Sequence, residues 1–342
     1  MELKRLTYSV VFLIGVGFLL IKGKAILLPI MIAFLMYFLI RSIRRLSDKN
    51  VYIKTRFPSW LKNSIAASAL FLIISLLINS IYIQILELAK SWVHYKKNSD
   101  VILKQLTDHF QINLSLELQK NMMKFDFSEF INPILDSITS FTGNLVIILF
   151  YLLFLIIEET NYKRKIGLLF LDKKNLNQSK LLLNNIEKSI TNYLGLKTFI
   201  CFISATCCFI SLYFMGLHFP FLWALLIFTL NYIPVVGPFL AVSLPFLFAI
   251  IQYIDLQYPG IILLILIIIQ LLISNVVEPK IMGSSLNISP LVALISLAVW
   301  GSMWGIIGMI VSVPITVILI ILLAHFPHTH KIAVLLSNKG DV

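Results

Sequence analysis

The chain has 342 residues, 59% of them hydrophobic and 13% charged, with a mean hydropathy of +0.92; a soluble domain of this size has too little interior to hide so much apolar surface. Lys plus Arg is 28 and Asp plus Glu is 16, a net charge of +12. The charges fall between apolar runs, so the excess reads as a membrane topology signal and not as a nucleic-acid surface.

A bilayer core takes about 20 mostly apolar residues per helix, because a helix satisfies its own backbone where no water can. Residues 6–21 and 25–40 are such runs, each somewhat short, joined by Lys22-Gly23-Lys24; a hairpin of two short spans is expected. The start Met-Glu-Leu-Lys-Arg imitates a secretory signal, but no small-x-small cleavage site follows Ile21, so the first run reads as an uncleaved span. Further runs cover 63–86, 141–157, 198–217, 221–251, 260–277 and 290–324.

Residues 41–62 carry Arg41, Arg44, Arg45, Lys49, Lys54, Arg56 and Lys62 against Asp48 alone, and residues 158–197 carry eight Lys or Arg against four acids. Both are expected in the cytoplasm, whereas 87–140, with six Lys and seven acids, is expected outside. The resulting expectation is an all-α polytopic membrane protein of about eight spans with both termini cytoplasmic. It is organised as spans 1–3 (1–86), an amphipathic helical extramembrane insert (87–140), span 4 with a basic helical loop (141–197), a C-terminal transport core (198–324) and a tail (325–342).

Two stripes follow i, i+3, i+4, i+7 spacing. Phe127, Phe130, Ile131, Ile134, Leu135, Ile138 and Phe141 predict a helix lying along the membrane outside; Leu182, Ile186, Ile190 and Tyr193 predict one before the fifth span that packs on neighbouring helices.

From 198 to 324 the only formal charges are Asp255, Glu278 and Lys280. Two runs here are too long for one crossing, and both are interrupted. The first holds Asn231-Tyr232-Ile233-Pro234-Val235-Val236-Gly237-Pro238, with Pro245 beyond; each proline lacks an N–H and clashes with the preceding turn, freeing carbonyls that protein, water or solute must satisfy. The second holds Gly301, Gly305 and Gly308, then Pro314; glycines so spaced permit close helix contact or a turn at membrane depth. Each stretch is either a broken span or a re-entrant hairpin. Paired Gly/Pro interruptions are the pattern by which discontinuous helices build a transporter's binding site, against the plainer reading of two kinked helices.

The stretch Asn231-Tyr232-Ile233-Pro234-x-x-Gly237-Pro238, then Val277-Glu278-Pro279-Lys280-Ile281-Met282-Gly283-x-x-Leu286, Pro290, Gly301, Trp304-Gly305-Ile306-x-Gly308-Met309 and Val313-Pro314 resembles the autoinducer-2 exporter family of bacterial permeases, also called PerM-like. Tyr193-Leu194-x-x-Lys197 is similar too. The likeness is strongest over 190–320 and rests on topology before that; Trp300 and Ser284 depart from the usual pattern without weakening it. The resemblance implies an inner-membrane, homo-oligomeric protein, with members linked to autoinducer-2 export and others to sodium/proton antiport.

Glu278 and Lys280, flanking Pro279, are expected to act as a gate or coupling pair, the plainer reading being a solvated interfacial turn. With Gly283, Asn231, Tyr232, Pro234, Gly237, Pro238, Gly301, Gly305, Gly308 and Pro314, they form the expected transport path or gate. Asp255 reads as a loop residue, Gln270 and Asn275 as partners of neighbouring helices, His218 as interfacial, and Glu158-Glu159 as a solvated helix end. No GxSxG, HExxH or GxxxxGK[ST] is present, so nothing points to an enzyme or an ATP-driven pump. Cys201, Cys207 and Cys208 share one run with no CxxC and no His at ligand spacing, and no metal or cofactor is expected. Beside the bilayer, the expected partner is a small polar solute or an ion. A secondary permease for a small polar solute is the leading expectation; the alternatives are a Na⁺/H⁺ antiporter using Glu278, and a non-transporting scaffold whose insert binds an extracytoplasmic partner.

Overall fold

The computed structural model describes residues 2–48, 56–110, 143–159, 173–255, 257–283 and 287–338, with Tyr52, Asn161, Lys165 and Gly340 besides. The stripe from Phe127 to Phe141 lies outside the described residues. Those described are helices and short connections, with no strand among them. The helices are α1 (Glu2–Lys22), α2 (Lys24–Ser47), α3 (Ser59–Phe110), α4 (143–159), α5 (Lys173–Phe214), α6 (Pro220–Leu230), α7 (Val236–Tyr253), α8 (Gln257–Leu272), a π-turn (Ile273–Val277), α9 (Glu278–Met282), α10 (Pro290–His325) and α11 (His330–Leu336). Six stretches, within 24–47, 61–92, 181–214, 236–253, 257–282 and 290–325, are long and apolar enough to cross a bilayer. The chain is a multi-pass membrane protein.

It packs as two compact units, one of residues 1–67, 144–196 and 282–342, the other of 68–143 and 197–281. In the first, Phe38 of α2, Ile190, Tyr193 and Leu194 of α5, and Val313 and Val317 of α10 form a buried cluster, with Ile186 against it. The stripe at 182–193 is thus core, and it belongs to the same helix as the fifth span. Beside this cluster Arg41 bridges Glu159 (3.2 Å) and Glu187 (2.8 Å), Lys62 bonds Asp48 (2.5 Å), and Arg45 donates to Asn192 (2.7 Å). Arg41, Arg44 and Arg45, expected in a loop, lie on α2. Glu159, expected to be solvated, is 12% exposed and paired with Arg41.

The expected hairpin at Lys22-Gly23-Lys24 is not formed. Gly23 N–H still donates to Leu19 O (2.7 Å) and Gly23 O still accepts from Leu27 (2.9 Å), so helical bonding runs through the junction, and one residue is too short a loop for two antiparallel helices.

Both interrupted stretches, by contrast, are helical hairpins. In α10 the Ser296 hydroxyl donates to Ser312 O (3.1 Å) and meets Thr316 Oγ1 at 2.5 Å, groups 20 residues apart that a straight helix would hold about 30 Å from each other. The fold is at Gly305, whose φ of 66° and ψ of −145° belong to a backbone region essentially reserved for glycine. In the other unit Trp223 of α6 packs on Phe248 of α7 with ring centroids 5.1 Å apart. The tip between these helices is Asn231 to Val235. Pro234 removes a donor there, Val235 sits at φ 62°, and Gly237 lies so close to Leu230 O that a Cβ would meet that oxygen at 2.0 Å.

The second unit's core joins Ile85 and Leu88 of α3, Cys208 and Leu212 of α5, Leu222, Trp223 and Ile227 of α6, Ala241 and Phe248 of α7, and Ile262 and Leu266 of α8. α3 runs on without a break beyond the apolar run at 63–86, and Tyr95 and Asn98 on that extension bond His218 (2.5 Å) and Ile251 O (3.1 Å).

Candidate functional site

The site is built on one face of α5. Lys197, Cys201, Ser204 and Cys208 recur at i, i+4, i+7 and i+11, so helical geometry stacks them in a single stripe, and none is more than 7% exposed. At its first position Lys197 Nζ donates to Glu278 Oε1 at 2.6 Å. One residue on, Thr198 accepts from Tyr232 OH (2.7 Å); two turns along, Ser204 accepts from Asn231 Nδ2 (2.8 Å). Those last two partners come from the α6–α7 tip. α5 travels about 15 Å from Ser204 to Phe214 and α6 travels about 16 Å back, which returns the tip to the level of Ser204.

Glu278 reaches Lys197 because of the π-turn at Ile273–Val277. Pro279 has no N–H to give Asn275 O and its ring crowds that carbonyl, so the turn before it widens to i→i+5 bonding. A π-turn holds one extra residue and sets back everything after it by about 100°. Gln270 and Glu278 would otherwise lie about 80° apart around the helix; with the turn they share one face, continuing the buried line Ile262, Leu266, Gln270, Ile273.

The unit is therefore layered. An ion pair, Lys197–Glu278, is followed by hydroxyl and amide groups of Thr198, Tyr232, Ser204, Asn231 and Gln270, and then by the apolar layer of Cys208, Leu212, Ile227, Ile262 and Leu266.

Glu278 does not pair with Lys280: residues two apart on a helix point away from each other, and Lys280 and Pro279 are exposed. Lys197, absent from the expected site, is the partner, 81 residues away in sequence. Asn231, Tyr232 and Glu278 are brought together; Pro234 and Gly237 shape the tip that carries the first two, and Pro238 lies in the first turn of α7. Gly283 ends α9 at φ 54°. Gly301, Gly305, Gly308 and Pro314 lie in the other unit, where Gly308 packs under Trp300 O and Pro314 is buried. Gln270, expected to bond a neighbouring helix, finds no partner among the described residues. Asp255 accepts from Gln257 N–H (3.2 Å) at the start of α8, in keeping with a loop role. A cavity of about 420 Å³ lined by Tyr213, Leu217, His218 and Phe219 lies at the other end of α5. No cluster of His, Cys, Asp and Glu suited to a metal occurs among the described residues.

The model of the AI-2E family transporter matches residues 6–328. A protein of Borreliella burgdorferi named "Putative transport protein" is 31% identical over 262 residues, 74% of this chain and 69% of its own length. A namesake in Haemophilus influenzae is 29% identical over 300 residues, 84% of each chain. The AI-2 transport protein TqsA of Escherichia coli K12 is 38% identical over 150 residues, 44% of this chain and 43% of TqsA.

Proposed function

We propose, since this chain belongs to the AI-2E family of transporters, that it is a bacterial inner-membrane permease moving a small polar solute through the polar layer between α5, α8 and the α6–α7 tip. The observation that carries this reading is the Lys197–Glu278 pair (2.6 Å), which closes one end of that layer while the apolar side chains around Leu266 close the other. Polar and charged groups inside a membrane unit are costly and characteristically mark solute or ion paths, and hairpins whose broken backbone lines such a path are how discontinuous helices expose it.

Passage requires the pair to part on one side and the apolar layer, to which α6 contributes Ile227, to open on the other, giving the polar layer access to each face in turn. The Lys/Arg excess of 158–197 supports a cytoplasmic Lys197. The α6–α7 hairpin then returns to the outside, α8 brings Glu278 back to the cytoplasm, and the α10 hairpin leaves the C-terminal tail there. TqsA is named for AI-2 transport, so an autoinducer-2-like solute is the first cargo to try, with export as the direction.

Flux into and out of proteoliposomes, with and without imposed pH and Na⁺ gradients, is the test. Flux of AI-2 that falls at least tenfold in Glu278→Gln supports the permease; absence of flux for any solute under any gradient overturns it. Na⁺-dependent proton movement lost in Glu278→Gln, without solute flux, replaces it with antiport.

A further inference from the structure

Two buried amides of this layer keep hydrogen-bonding capacity that nothing among the described residues uses. Gln270, 5% exposed, has neither Oε1 nor Nε2 partnered; Asn231, 6% exposed, gives Nδ2 to Ser204 and leaves Oδ1 without a donor. A buried polar atom so left bears its full desolvation cost, and hydrocarbon offers no water to relieve it. Leucine at 270 would extend the apolar line of Ile262, Leu266 and Ile273 at no such cost.

The amides stand at one level. Ser204, which holds Asn231, lies about 10 Å along α5 from Lys197, and Gln270 lies about 11 Å along α8 from Glu278, the two helices being pinned together at that ion pair. One turn further on, Cys208 of α5 and Leu266 of α8 belong to the same buried cluster. Spare acceptors at Asn231 Oδ1 and Gln270 Oε1 and a spare donor at Gln270 Nε2 thus gather between the ion pair and the apolar layer.

An occupant has to donate to two carbonyl oxygens and accept from one NH₂, which a hydroxyl does in both senses. The layer offers an ion no counter-charge. Lys197 and Glu278 neutralise each other, and between them in sequence the only formal charge is Asp255, at the far end of α8.

We propose that Gln270 and Asn231 are solute-binding residues and that the solute they select is small, neutral and hydroxyl-bearing. The assignment rests on the permease reading. It is tested with full-length protein in proteoliposomes, by the volume change that follows uptake of ribose and ribitol as neutral probes, with gluconate and glucosamine as charged counterparts. In detergent, the same probes are scored by the rise in melting temperature they cause, since a ligand stabilises the state it binds.

Wild type is expected to pass ribose or ribitol at least tenfold faster than the charged pair and to gain melting temperature with them. Gln270→Leu is expected to melt at or above the wild-type temperature without ligand, yet to lose the ligand-induced rise and at least nine-tenths of the flux. Should Gln270→Leu not fold, Gln270→Met, of matched length, takes its place. Retained flux and retained ligand-induced stabilisation in the variant overturn the site and leave a merely hydrated layer. Faster passage of gluconate or glucosamine overturns the solute class but not the permease. Passage of none of the four, nor of any solute in the gradient assays, overturns both.

Discussion

Lys197 is the residue on which the second unit's polar layer closes, and its cost is set by its partner. A lone ammonium on a membrane helix is expensive, whereas Lys197, with a side chain only 9% exposed, holds Glu278, whose side chain is 28% exposed. Removing one member of a buried pair strands the other charge, a loss of up to about 3–5 kcal/mol for full burial and less here, where Glu278 keeps some solvent. Lys197→Met is therefore expected to lower thermal stability in detergent by several degrees, and Lys197→Met with Glu278→Met to regain most of it; additive losses from the two changes would show that the pair is not coupled. Read from sequence alone, Glu278 goes with Lys280 because Pro279 suggests a turn. The structure makes 278–282 helical, and at a separation of two their side chains diverge. No local pattern could name Lys197 as the partner, since the pairing spans 81 residues and depends on which ends of α5 and α8 coincide.

At the level of elements, two departures from the regular helix decide the geometry, and both had a visible cause in the sequence. The π-turn sits one turn before Pro279 because that residue cannot donate to Asn275 O. Pro279→Ala restores the donor, lets the helix continue as α, and turns Glu278 about 100° away from Lys197; its loss of stability is expected to match that of Lys197→Met. Deleting Asn275 as well removes the surplus residue and returns Glu278 to register, so the double variant is expected to recover the pair, read as a return both of the melting temperature lost in Pro279→Ala and of its sensitivity to Lys197→Met. Failure of the deletion to rescue would separate the π-turn from the ion pair.

The α10 hairpin answers to its glycines unequally. Gly308→Ala drives a Cβ to 1.9 Å from Trp300 O, a backbone atom that cannot step aside, while Gly301→Ala meets only the flexible Met309 side chain, at Cγ (2.9 Å) and Cε (3.0 Å), which can. Gly305→Ala would hold alanine at φ 66°, a strain of order 1–3 kcal/mol. Thermal unfolding is expected to rank Gly308→Ala and Gly305→Ala well below Gly301→Ala, whose cost stays under about 1 kcal/mol. The interruptions themselves were legible, because proline and glycine mark where a helix must yield. Whether they kinked or folded back was not, because that choice rests on tertiary bonds such as Ser296 to Thr316.

For the whole molecule, the decisive quantity is which ends of the helices share a face of the membrane. One crossing for each apolar run from 198 onward would put Lys197 inside and Glu278 outside. Their 2.6 Å contact is instead what the proposed topology accommodates, in which the α6–α7 segment re-enters and does not cross. Because hairpins and pairs of crossings alike return a chain to its starting side, the loop-charge count could not tell them apart. Asp255 and Lys280, by contrast, stand at opposite ends of the continuous stretch of α8, the π-turn and α9 (Gln257–Met282, 26 residues), more than about 30 Å long, which no bilayer core spans from one side. With Cys201, Cys207 and Cys208 replaced, Asp255→Cys is expected to react with a membrane-impermeant maleimide added to intact cells, and Lys280→Cys only after the cytoplasmic face is opened. Lys280→Cys labelled in intact cells, with Asp255→Cys protected, would invert the orientation while keeping the fold. Labelling of both from outside would mean that α8 does not cross, and the polar layer would then have no second face to serve.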